Sequence, residues 1–135
     1  MEANFKLLDA NYEIIETTKE ELYKINEARG KEDRNYFPYG ITLHYERKIY
    51  INSEVCHKEK VKTLIHELMH AWMYLTANAY QEEYNEEHIC EMVSASNQII
   101  NDIVHDYFNE REMIKMKNEI EEIENAIKEV SSTIH

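Results

Sequence analysis

Glycine, proline and cysteine are all scarce in this chain of 135 residues, at two, one and two respectively. Glycine-rich phosphate loops need several glycines in one short segment, so dinucleotide and P-loop sites are excluded. Cys56 and Cys90 form neither a CxxC pair nor a framework that could staple a secreted fold, and each reads as a buried thiol. No apolar run approaches the 18 residues of a membrane-spanning helix. Positive charge is also short: 15 basic residues face 27 acidic ones, for a formal charge of −12. Such a surface repels a phosphate backbone, so neither nucleic acid nor membrane is an expected partner. Asp9, Asn11 and Glu13 interrupt the stretch where a secretory signal would be apolar, which points to a cytoplasmic protein. A 43% apolar content is enough for one soluble domain.

Periodicity and the few breakers organise the chain. Asn11 to Thr17 reads as a short strand and Thr18 to Arg29 as a helix ending at Gly30. After the only proline, Pro38, residues Ile41, Leu43 and Tyr45 alternate with Thr42, His44 and Glu46 at the strand period. Arg47-Lys48 would turn the chain into Ile49 to Asn52, giving a hairpin over Gly40 to Asn52. From Ser53, a possible N-cap, the apolar positions Val61, Leu64, Ile65, Leu68, Trp72 and Leu75 recur at helical spacing. Asn85 can cap a second helix of similar length, with a stripe from Ile89 through Met92, Val93, Ile99, Ile100 and Ile103 to Tyr107. Finally, Met113, Met116, Ile120, Ile123, Ile127, Val130 and Ile134 alternate spacings of three and four. That is a heptad seam of about three heptads, and its Ile-rich layers suit a trimer or tetramer as well as a dimer. Residues 113–134 are therefore expected to make a homo-oligomer or to dock on a helical protein partner.

The chemistry sits inside the first long helix, where His66-Glu67-Leu68-Met69-His70 is an HExxH sequence. Residues four apart on a helix differ by about 40° in azimuth, so the two imidazoles leave one face and can share a Zn²⁺. Glu67, one step round, is placed to take a proton from water rather than to bind metal, which makes it the catalytic candidate. On a helical wheel zeroed at Val61 the apolar stripe lies within about 60° of zero, whereas His66 and His70 fall at about 140° and 180°. Composition alone would produce only about 0.06 copies of this pattern in the chain, so an accident of surface histidines is a poor explanation.

A catalytic zinc takes three protein ligands and a water, so one more donor is required. The second helix opens with Glu86-Glu87-His88-Ile89-Cys90-Glu91. Glu87 is the favoured ligand, since it shares a wheel face with Cys90, Glu91 and Ser94, where small side chains permit close helix approach. His88 and Glu91 remain open as alternatives, and Glu91 could instead accept the second N–H of a ligand histidine. Acidic residues also favour a helix N-terminus for their charge alone. Tyr84 is a candidate oxyanion donor, as is Tyr80, although packing explains both. His44 and His105 read as structural or solvent-facing, and Trp72 as core.

The run Thr63-Leu64-Ile65-His66-Glu67-Leu68-Met69-His70-Ala71, followed by Glu87, Cys90, Glu91, Val93 and Ser94, resembles the ImmA/IrrE-type metallopeptidases. These are gluzincin-like proteins found beside repressors on mobile genetic elements, and the chain resembles their compact phage-encoded forms. In that family a later helix supplies a Glu ligand within a pattern that continues with a small residue, Asn or Asp, an aromatic and a small residue. Here Glu91 stands in the Asn/Asp place and Val93 in the aromatic place. The resemblance spans roughly Gly40 to Phe108, hairpin included. It implies an α+β fold built on a minimal zincin-like metallopeptidase domain over residues 1–109, helix-rich with a small sheet, and a coiled-coil-like helical tail over 110–135. It also implies zinc-dependent hydrolysis of a peptide bond in a protein or peptide substrate, such as a repressor. The strand Ile49 to Asn52 would be the edge on which an extended substrate pairs. The alternative is a non-catalytic module that keeps zinc for stability and works through its heptad tail.

Overall fold

The computed structural model describes residues 2–30, 39–78 and 83–133, in an α+β arrangement of a four-stranded mixed sheet and three helices. The chain forms two compact units, Met1–Val104 and His105–His135. In the first, strands β1 (Glu2–Leu7) and β2 (Ala10–Thr17) make an antiparallel hairpin. Its two-residue turn holds Leu8 at φ 50° and Asp9 at φ 68°. Tight hairpin turns require positive φ at both positions and normally recruit Asn-Gly. Leu-Asp carries no such signal, which is why β1 escapes a reading of the sequence.

Helix α1 (Lys19–Ala28) starts where Thr18 Oγ1 accepts the Glu21 N–H at 3.2 Å and ends before Gly30 at φ 78°. Strands β3 (Gly40–Leu43) and β4 (Lys48–Asn52) form the second hairpin, with β4 running parallel to β2. The strand order is β1-β2-β4-β3. The expected edge at Ile49 to Asn52 is therefore overturned: β4 is paired on both sides, and the edges of the sheet are β1 and β3. The turn between them also differs from Arg47-Lys48. It takes the four residues His44–Arg47, places Arg47 at φ 54° and leaves Tyr45, read as strand, 94% exposed.

Helix α2 (His57–Leu75) begins after Cys56, not Ser53, and lies against β3 and β4. Its buried face carries Lys60, Thr63, Leu64, Glu67, Leu68, Ala71 and Trp72. This arc is turned by about 70° from the stripe read in the sequence, towards Glu67 and away from Ile65, which is 38% exposed. Polar partners explain the rotation. Lys60 Nζ meets Glu16 of β2 at 2.9 Å with both side chains almost fully buried, so a lysine and a glutamate occupy places that hydrophobicity assigns to apolar residues.

Helix α3 runs from Glu86 to Thr133, 48 residues without a break. Asn85 caps it as expected, its Oδ1 accepting the His88 N–H at 2.7 Å. No glycine or proline interrupts the sequence after it, so the second helix and the tail are one element rather than two. Within the first unit α3 buries Met92, Ser96, Ile100 and Val104, with Ser96 Oγ 3.5 Å from Met69 Sδ of α2. The second unit is helical through Thr133, and Met113, Met116, Ile120, Ile123, Ile127 and Val130 are 54–69% exposed along it. Ile134 lies outside the described residues. Among the described residues no helix is long and apolar enough to cross a membrane.

Candidate functional site

The site forms where α2 crosses the edge strand β3. Gly40 makes that crossing close: a Cβ there would stand 2.7 Å from Thr63 Cγ2, 2.9 Å from Glu67 Cγ and 3.0 Å from the Tyr50 carbonyl oxygen. Only a residue without a side chain fits. Two positions along, Thr42 Oγ1 donates to Glu67 Oε2 at 2.6 Å, and the Glu67 backbone oxygen lies 3.2 Å from the same hydroxyl. Glu67 is only 6% exposed, so this bond fixes the carboxylate against the strand.

His66 and His70 take the opposite environment. Both are exposed, as their wheel positions require, and their rings stand edge to face with centroids 4.7 Å apart. The Nε2 atoms are 3.1 Å apart. Two nitrogens each about 2.0–2.1 Å from a tetrahedral zinc stand about 3.3 Å apart, so the pair has the spacing of two ligands to one ion. Beside them a cavity of about 340 Å³ opens between Tyr39 and Gly40 on one side and Glu59, Lys62 and Thr63 on the other, with His66 and Glu67 in its wall. Its volume is at the small end of ligand pockets.

Among the described residues no three His, Cys, Asp or Glu side chains come together in a way that could hold a metal. The pair His66–His70 is thus brought together, and Glu87, His88 and Glu91 are not brought to it. Glu87 and Glu91 are exposed on α3. His88 is half-buried, its ring stacked on Tyr84 at 5.4 Å, and its Nε2 is buried with no hydrogen-bond partner among the described residues. The Tyr84 hydroxyl donates to the Asn78 carbonyl, a use distinct from an oxyanion donor. Tyr80 lies outside the described residues. Both cysteines are exposed, which overturns their reading as buried thiols; each falls on a helix-end or outward position rather than on a core stripe.

No family model, curated protein or solved structure matches the chain.

Thr42, Gly40 and His44 are the site residues that the sequence did not reveal. Thr42 occupies an alternate polar position of a strand whose polar face reads as solvated, yet that face meets α2. His44 follows β3 and stacks on Tyr74 at 4.4 Å, one helical turn beyond His70. Its Nδ1 is buried without a hydrogen-bond partner among the described residues. Burial, reinforced by the charges of His70 and Arg29, holds its imidazole below the ordinary value of 6.5. A base whose pKa falls on folding makes the folded state less stable when it is protonated. The protein accordingly loses this part of its stability as pH drops below 6.5 and keeps it in full above.

Proposed function

We propose that this protein is a zincin-like metallopeptidase that hydrolyses a peptide bond in a specific protein substrate, a repressor being the kind that its sequence resemblance suggests. The observation that carries the reading is the contrast within one helical turn: two exposed imidazoles with Nε2 atoms 3.1 Å apart, and beside them a buried carboxylate anchored by Thr42. His66 and His70 would supply two ligands, and Glu87 of α3, which stands apart from that pair in the structure, would be the third in preference to His88 or Glu91. Zinc bound there would bring the pKa of water towards about 7 and polarise a carbonyl. Glu67 would be the group to take a proton from the attacking water and to return it to the departing amine. Thr42 holds that carboxylate without competing for its proton, since the hydroxyl already donates to it. Strand β3, an edge of the sheet among the described residues, borders the site and would present its outer backbone groups to an extended chain.

A surface that only stores zinc has no use for Glu67, which separates this reading from a binding module. The zinc-loaded chain is incubated with proteins extracted from cells, and new N-termini are identified by mass spectrometry. Cleavages should appear with the parent and vanish with Glu67→Gln. Equal cleavage by both proteins would remove Glu67 from the chemistry.

A further inference from the structure

We propose that residues 112–131 pair antiparallel with the same segment of a second copy, making the protein a dimer. The six seam side chains Met113, Met116, Ile120, Ile123, Ile127 and Val130 are 54–69% exposed, on a helix that contains no glycine or proline across this span. With Met113 and Ile120 at heptad position a and Met116 and Ile123 at d, an antiparallel partner stacks all six in successive layers: Met113 on Val130, Met116 on Ile127 and Ile120 on Ile123. No other antiparallel register matches all six.

Charge selects the orientation. Lys117 and Glu124 are the charged e positions, and Glu112 and Glu119 the charged g positions. In the antiparallel pair e faces e and g faces g, so Lys117 of each copy meets Glu124 of the other, while Glu119 lies beside Ala126. A parallel pair in the same layers gains Glu112 against Lys117 twice but sets Glu119 against Glu124 twice, so that its attractions and repulsions cancel. Opposite charges across the seam stabilise and like charges oppose. The same flanks favour two helices over three or four, because larger bundles bury e and g positions and would desolvate four charged side chains per chain. A two-fold pair also closes on itself and leaves no unsatisfied surface.

Light scattering across a dilution series of the full chain should give twice the 16.2 kDa of one chain, falling towards one chain on dilution. Glu124→Lys sets like charges against each other in the antiparallel pair and should weaken association severalfold, and Lys117→Glu added to it should restore the parent affinity. A parallel pair predicts the reverse, tighter association for Glu124→Lys. Circular dichroism checks that the helix persists in each variant. A second readout needs no charge change: in a chain carrying Cys56→Ser and Cys90→Ser, a mixture of Met113→Cys and Val130→Cys copies should form a mixed disulfide dimer, and neither should cross-link alone. A monomer at every concentration, a trimeric or tetrameric mass, tightening by Glu124→Lys, or cross-linking of Met113→Cys to itself would overturn the proposal.

Discussion

At Thr42 a single hydroxyl decides how the candidate base is presented. It is buried, donates to Glu67 Oε2 at 2.6 Å and has no apolar substitute that keeps the bond. Thr42→Val conserves shape and removes the donor. Hydrogen bonds to charged groups contribute about 1.5–3 kcal/mol, so the variant should lose about tenfold or more in kcat and unfold at a lower temperature, whereas Thr42→Ser should retain most of both. Kinetics on a substrate cut by the parent, with thermal unfolding alongside, checks this. Unchanged kcat in Thr42→Val would mean that Glu67 is held by packing alone. The residue scale also shows what local pattern conveys. His66, Glu67 and His70 are legible because their spacing is itself the chemistry. Thr42 is not, since its partner lies 25 positions away and only the tertiary crossing joins them.

Elements tell a similar story. Thr18 and Asn85 mark their helices because capping is local, and the β3–β4 hairpin follows from two-residue alternation. The face that α2 buries is not legible in the sequence because burial there is settled by the Lys60–Glu16 pair and by contact with a glycine, neither of which an apolar count can weigh. Strand β1 was missed for want of a turn signal, and the order that puts β4 inside the sheet depends on the parallel pairing with β2. Gly40 is where the element geometry can be tested. Gly40→Ala places a methyl against Thr63, Glu67 and the Tyr50 carbonyl, and overpacking of this kind costs about 1–3 kcal/mol. Chemical denaturation should show that loss, together with reduced hydrolysis as Glu67 is pushed aside. A Gly40→Ala protein as stable and active as the parent would show that β3 and α2 can separate without consequence.

For the molecule as a whole, acidity, scarcity of glycine and the absence of long apolar runs narrow the function classes independently of the fold. An α+β chain with a small mixed sheet and a long final helix fits that frame. A third metal ligand is what neither the spacing nor the described residues supply, because it would depend on the register between α2 and α3 and not on either helix by itself. The proposed chemistry needs His66 and His70 to bind zinc while Glu67 works on water. Elemental analysis of the purified full chain, after equilibration with zinc and removal of excess, measures it directly. About one zinc per chain is expected in the parent and in Glu67→Gln, and loss of that zinc in His66→Ala and in His70→Ala. Zinc retained at full stoichiometry by both histidine variants, or no zinc bound by the parent, would contradict it.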